Sequence, residues 1–396
     1  MHPLLLLPAL VAQQILAAPT PAQPEHKSIQ PKIKSTTLIA NVTDPTVSRD
    51  SCGSVRIGDR VLWTCRDTLK YDVRLGKTTL PIISNTASWT DLTPGGGPAL
   101  KIGPVGSGSD GVRPILRMYG DIFDGEGLLD PFFPLQRDQC PEYGVCGDGS
   151  RWVTWPDSPP VVLDAEAEVA VGFTVVPNVH LVNLTNINSQ TPSHALYKST
   201  YTASSSDRNA LPTTELVDGE FFKEDEVAYG RYGNFAKDGY AYLYGQTKSK
   251  GTALAKVPLS SIEDRSTYQY FSSNAWTSTP PTTPSTIPNA GAGGQGTFYY
   301  SSYLQSHVWI GQQAVSVSAD FYMSTAPAHE GPWCEAEKIF SGENGDNAIG
   351  AYSLQAHPSL SRDGGMNGIH VSWTQQWREE TVGAGYVTPL VWVEFE

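Results

Sequence analysis

Asp50 and Asp67 are the side chains of this sequence whose spacing brings acid chemistry to one place. The residues between them, Cys52-Gly53-Ser54-Val55-Arg56-Ile57-Gly58-Asp59-Arg60-Val61-Leu62-Trp63-Thr64-Cys65, read as two alternating runs that meet at Gly58-Asp59, a two-residue hairpin turn. Cross-strand partners then have numbers that sum to 117, so Cys52 faces Cys65 and Asp50 faces Asp67. Counted outward from the hydrogen-bonded pair Ile57 and Arg60, both are non-hydrogen-bonded pairs, with Cα atoms about 4.5 Å apart. That lies at the short edge of what a disulfide accepts, about 4.4 Å, and a bridge there would lock the register. Positions two apart share a face, which puts both carboxyl groups on the cysteine side, at the open end of the hairpin.

Two carboxylates so placed repel each other when ionised. One pKa rises, leaving an acid beside a base or nucleophile. Glycosidic cleavage uses that pairing: a separation of about 5–5.5 Å suits retention and about 6.5–9.5 Å suits inversion. Direct opposition favours the short distance and a bulge near Asp67 widens it, so the stereochemical course stays open. In the competing reading both aspartates are solvated residues at strand ends, as most paired surface acids are.

The elements that must hold this pair are strands. With 396 residues, 39% hydrophobic, 37 glycines and 30 prolines, the chain has material for a large core and many turns. An all-β fold follows. Hairpin signals recur at 54–57 with 61–63, 227–232 with 240–244, 297–303 with 308–311 and 352–357 with 369–373, with further strands at 169–175, 253–257 and 315–323. Such irregular repetition of small antiparallel sheets suits a propeller, and a sandwich gives many of the same signals. The breaker-rich stretch 277–296 reads as a long loop inside one domain.

Residues 1–18 have the apolar run and small-residue end of a secretory signal, too short to span a bilayer. Residues 19–48 read as a flexible lead-in, with one strand near 37–39, and 49–396 as the folded domain. A secreted, extracellular protein is expected. Asn41-Val42-Thr43 and Asn183-Leu184-Thr185 are acceptor sites for N-glycans. Of five cysteines, Cys140 and Cys146 flank a short turn-rich loop and are expected to pair; the partner of Cys334 is left open. The net charge of −13 argues against nucleic acid or an anionic membrane as partner. Phosphate-loop, zinc-helix and nucleophile-elbow motifs are absent, and no cofactor is expected. A structural calcium is admitted by the acidic character, but the loop with Asp121, Asp124 and Glu126 is too flexible to assign one.

Several segments resemble a family of secreted domains, long of unknown function, that includes bacterial endo-D-arabinanases. They are Leu62-Trp63-Thr64-Cys65-Arg66-Asp67-Thr68, Asp238-Gly239-Tyr240-Ala241-Tyr242-Leu243-Tyr244-Gly245, Ala253-Leu254-Ala255-Lys256-Val257-Pro258-Leu259, Thr325-Ala326 through Glu330-Gly331-Pro332-Trp333, and Tyr352-Ser353-Leu354-Gln355-Ala356-His357-Pro358. The resemblance implies a five-bladed β-propeller of glycoside-hydrolase type, with the family's two catalytic aspartates at Asp50 and Asp67. Cys65-Arg66 departs from the family's more usual Phe-Gly and sets a cation beside the acid; strict alternation turns Arg66 to the other face. The same end-of-hairpin logic puts Tyr229, Tyr299 and Gln375 on the substrate rim, and the resemblance adds His357. For each tyrosine, packing within the core is the competing reading. A monomeric glycoside hydrolase acting on a polysaccharide or oligosaccharide is the first expectation, with a non-catalytic carbohydrate-binding propeller as the alternative. A lyase would want a base beside a neutralised uronate, and no such cluster stands out.

Overall fold

The computed structural model describes residues 29–396 apart from 43–45, 73–74, 76, 104–112, 121–129, 141–142, 184, 204–206, 292–293, 314–315, 362–365 and 379–384. Its regular structure is strands, with three single-turn 3₁₀ segments among the described residues.

Five larger sheets follow one another along the chain, antiparallel except where Ile33–Asn41 meets Arg113–Leu116 in parallel within the fifth. The first holds Gly53–Ile57, Arg60–Cys65, Thr86–Asp91 and Met118–Tyr119. The second runs from Val161–Val162 through Val169–Pro177 and His194–Thr202 to Thr213–Phe222. The third begins at Asn234–Lys237, the fourth at Gly296–Ser301 and the fifth at Ala351–Ala356. Two three-stranded sheets lie beside the first two: Val47–Arg49, Thr68–Asp72 and Lys77–Ile83; and Arg151–Val153, Val179–Val182 and Thr185–Asn186.

The first strand of each larger sheet touches the first strand of the next, and the turn Pro358–Leu360 after the fifth returns to Gly53–Ile57. The apolar core is divided in the same order. Leu62 and Trp89 of the first sheet pack with Tyr197 of the second, and Phe173 of the second with Leu243 of the third. Tyr244 of the third meets Trp309 of the fourth, and Phe321 of the fourth meets Trp373 of the fifth. Leu390 of the fifth closes on Trp63 of the first. Because each sheet is covered on both faces, inner strands lose the apolar–polar alternation of a half-buried strand; Arg60–Cys65 is buried throughout. Full burial of a side chain such as Phe321 contributes about 2 kcal/mol. The outermost strand Thr213–Phe222 is largely exposed, and its acidic Glu215, Asp218 and Glu220 discourage edge-to-edge pairing.

Two sequence expectations change. The segment 19–48 contributes the nine-residue strand Ile33–Asn41, which pairs antiparallel with Pro389–Phe395 and ties the two ends of the described chain into the fifth sheet. Its side chains are mostly exposed, so it carries no hydrophobic period. The stretch 227–232 is a turn, and the strand that pairs with Tyr240–Gln246 starts at Asn234. Gly230 at φ 94° and Gly233 at φ 145° place the chain there in backbone regions that side chains rarely adopt.

Candidate active site

The hairpin keeps the register counted above: Ile57 pairs with Arg60 and Gly53 with Thr64 around Gly58 at φ 58°. Cys52 and Cys65 are joined, with Cα atoms 4.1 Å apart. Beyond the disulfide the ladder changes. Asp50 N–H donates to the Asp67 carbonyl at 2.9 Å, while the Asp50 carbonyl accepts from Arg66 N–H at 2.8 Å. Two residues thus oppose one, as in a β-bulge. In a regular ladder Arg66 would face away from both acids; here its charge bears on Asp50 and it is ion-paired with Asp157.

Asp50 is buried, 7% exposed. Burial raises its pKa to about 6, against the opposing Arg66 charge and a Ser51 hydrogen bond; the Asp67 charge adds to the rise, and Tyr352 donates a hydrogen bond to the carboxylate. Ser51 Oγ lies 2.5 Å from Asp50 Oδ1 and 2.5 Å from Ser353 Oγ. Ser51 N–H donates to Thr374 Oγ1 at 2.8 Å. Both serines are left-handed, with φ 50° and 54°. Ser353 falls at an irregularity of the strand Ala351–Ala356, between Tyr352 and Gln355. Non-glycine residues in such conformations cost roughly 1–3 kcal/mol each and gather at functional sites.

Asp67 is held differently. Arg151 Nη2 donates to Oδ1 at 2.6 Å and Nη1 to Oδ2 at 3.2 Å, and Trp155 Nε1 donates to Oδ1 at 3.0 Å. A third carboxylate, Asp157, takes Arg231 Nε at 2.5 Å together with Arg66. Burial pulls the Arg66 guanidinium below its usual range, with the Asp50 charge opposing. Tyr352 and Tyr386 face the same acids; burial and the Asp50 charge push both phenols up, so they serve as donors rather than bases. The site therefore collects Asp50, Asp67, Asp157, Arg66, Arg151, Arg231, Tyr352 and Tyr386. Arg151, Asp157, Arg231 and the two tyrosines were not singled out in the sequence for this role. Asp157 carried a usable signal, because it stands ahead of the strand Val161–Val162 as Asp50 stands ahead of Gly53–Ile57.

The rim candidates fall elsewhere. Tyr229 packs in the core between the second and third sheets, 5.3 Å from the Tyr270 ring. Tyr299 is buried in the core between the fourth and fifth. His357 is fully buried; Nδ1 is 2.7 Å from Ser54 Oγ and Nε2 2.7 Å from Ser372 Oγ, so neither nitrogen is left for a ligand. Gln375 is buried and donates to the Glu343 carbonyl at 2.9 Å. Tyr299 and Gln375 are packing residues because the inner strands are covered on both faces, and His357 because serines hold both its nitrogens; Tyr229 packs in its turn and also borders a cavity of about 420 Å³. Asn41 is buried at 6% exposure, which leaves no room for a bulky glycan, whereas Asn183 is exposed in a turn. Cys140 and Cys146 are bonded, and Cys334 is free. Asp121, Asp124 and Glu126 lie outside the described residues. No group of three or more His, Cys, Asp or Glu suited to a metal occurs among the described residues. No helix of the described residues is long and apolar enough to cross a membrane.

A family model described as a domain of unknown function (DUF5005) matches residues 180–374, just under half of the chain, including Arg231 and Tyr352 but none of the three aspartates. A crystal structure of a "putative hydrolase" from Bacteroides ovatus is similar with a TM-score of 0.57 at 14% identity, covering 87% of this chain and 85% of that one. The likeness is one of fold. Weaker similarities include a family 117 glycoside hydrolase from Zobellia galactanivorans, with a TM-score of 0.44, 13% identity and 92% and 90% of the two chains covered. Another is a β-xylosidase/α-arabinofuranosidase from a compost microbial metagenome in complex with xylotriose, with a TM-score of 0.43, 7% identity and 92% and 95% covered. No curated protein matches the sequence significantly.

Proposed function

We propose that this chain is a secreted glycoside hydrolase, built as a five-bladed β-propeller, that cleaves a polysaccharide or glycan, furanoside-containing ones among the candidates, with Asp50 and Asp67. The observation that carries the reading is Asp50 itself: a buried carboxyl with a pKa near 6, beside a second carboxylate whose orientation is fixed by Arg151 and Trp155. Two carboxyls in environments this different are what an acid and its partner base or nucleophile require. Asp50 can hold a proton below about pH 6 and pass it to a leaving oxygen. Among the described residues Asp67 Oδ2 has one longer contact, at 3.2 Å, and keeps lone-pair capacity for a water or an anomeric carbon. The cyclic order of sheet contacts supports five blades, and the two disulfides suit an oxidising compartment outside the cell.

A specific observation favours the second reading, a non-catalytic carbohydrate-binding propeller: Asp67 Oδ1 already accepts from both Arg151 and Trp155. Reducing-sugar release from arabinans, galactans and fungal and plant wall glycans separates the two. Hydrolysis by the wild type that falls at least about a hundredfold in both Asp50→Asn and Asp67→Asn supports the hydrolase. Glycan binding without release supports the binding module, and release that survives both substitutions overturns the assignment of the pair.

A further inference from the structure

A cavity of about 240 Å³ opens beside Arg231, lined also by His194, Lys248, Lys250, Asp225 and Glu226. At roughly 30 Å³ per water it has room for about eight waters, enough for one substituted sugar group. One guanidinium ties it to the candidate active site: Arg231 gives Nε to Asp157, which also holds Arg66, and the Arg66 charge acts on Asp50. The Arg231 guanidinium lies over the Tyr232 ring, 4.7 Å from its centroid.

The charge around this cavity is uneven. Lys248 is engaged by Asp225 at 3.0 Å, and Glu226 turns to Arg265 at 2.9 Å, which does not line this cavity. Among the described residues Lys250 reaches only the neutral Gln246 Oε1, at 3.4 Å, and Arg231 shares a single carboxylate with Arg66. Cation is thus in local surplus on a chain whose net charge is −13. An acidic polymer would be repelled by most of that surface, so a local cationic pocket acts as a selector.

His194 points to the same ligand. It is 3% exposed, and among the described residues neither ring nitrogen has a well-formed hydrogen bond, with the Pro192 carbonyl the one backbone group bearing on the ring. Burial and the neighbouring Arg231 charge hold the imidazole pKa down and favour the neutral ring, whose N–H has at best the poorly aligned Pro192 carbonyl. Buried polar groups without partners are rare, and a ligand that supplies one recovers the lost bond.

We infer that this cavity is a subsite for a sugar bearing a single anionic group, a uronate or a sulfate ester, next to the bond that Asp50 and Asp67 act on. This rests on the hydrolase reading for its place in catalysis, but not for binding itself. A second cavity of about 420 Å³ shares the wall formed by Asp225, Glu226 and Lys248 and gives further sugar units a place.

The test is calorimetric binding to the full chain of digalacturonate, sulfated galactobiose and neutral galactobiose, at low and high salt. At least one anionic disaccharide is expected to bind roughly tenfold tighter than the neutral one, with the preference shrinking in salt; which one wins identifies the anionic group. Lys250→Gln is expected to weaken anion binding about threefold and flatten its salt dependence. His194→Phe, which strands no side-chain partner, is expected to weaken it about tenfold with an unchanged melting temperature. Equal affinity for neutral and anionic sugars, or binding indifferent to both substitutions, overturns the inference. Should His194→Phe fail to fold, the Lys250→Gln salt dependence still decides. Anionic sugars that bind but are never cleaved leave the subsite standing and remove the hydrolase reading. Neutral glycans cleaved in an Asp50-dependent way, with no anionic preference, do the reverse.

Discussion

The heads of the first three sheets and the heads of the last two are built from opposite materials. Asp50, Asp157 and Arg231 stand ahead of the first strands of sheets one to three, and with Asp67, Arg66 and Arg151 they make three carboxylates and three guanidinium groups in a mostly buried space. Sheets four and five meet them with neutral groups. Gln295 Nε2 and Gln355 Nε2 donate to the Asp157 carbonyl at 3.1 and 3.3 Å, Thr297 Oγ1 donates to Gln355 Oε1 at 2.7 Å, and Tyr299 packs in the core. The neutral half satisfies backbone groups at little electrostatic risk. The charged half is stable only as a set, because a carboxylate or guanidinium left without its partner at such depth is costly. A fold carries such a cluster for chemistry or recognition more readily than for stability, since buried ion pairs are weak evidence of the latter.

Substitutions on the two sides should therefore differ widely. Arg151→Ala strands Asp67 among Trp155 and buried backbone, and is expected to cost about 3–5 kcal/mol in urea unfolding. A loss under about 1 kcal/mol would mean that Asp67 is solvated, and the contrast between the halves would fail. On the neutral side, Tyr299→Phe removes a buried hydroxyl that has no hydrogen-bond partner among the described residues. Stability should hold or rise by up to about 1 kcal/mol, with glycan binding unchanged. Weaker binding in that variant would return Tyr299 to the substrate path.

The hairpin was legible because a two-residue turn fixes every partner by arithmetic, and Cys52 with Cys65 marks the same register a second time. Ladder counting could not see where the ladder stops being regular. The bulge at Arg66 and Asp67, which brings Arg66 toward Asp50, depends on Asp157 arriving from the second sheet. Asp157 stands in the proline-rich Trp155-Pro156-Asp157-Ser158-Pro159-Pro160, which has no periodicity to read. Aromatic density between 227 and 232 imitated a strand and pointed to Tyr229, when the glycines there make a turn that delivers Arg231 instead. Tyr299 went to the core because sheets covered on both faces bury residues that alternation assigns to an open rim, whereas Tyr229 packs from its turn against Tyr270 and His357, just past its strand, is held by Ser54 and Ser372.

The central claim is that Asp50 is a carboxyl whose surroundings favour its protonated form, and thermal melting of the wild type and Asp50→Asn from pH 4 to pH 8 tests it without a substrate. Its folded pKa of about 6 lies above the ordinary aspartate value of 3.8, so its contribution to stability is full below pH 4 and is lost as pH rises through about 6. The shift corresponds to about 3 kcal/mol. Asparagine resembles the protonated acid, so the variant is expected to melt about 4 °C higher than the wild type at pH 8 and at the same temperature at pH 4. A difference independent of pH, or a wild type that is the more stable protein at pH 8, would contradict the account.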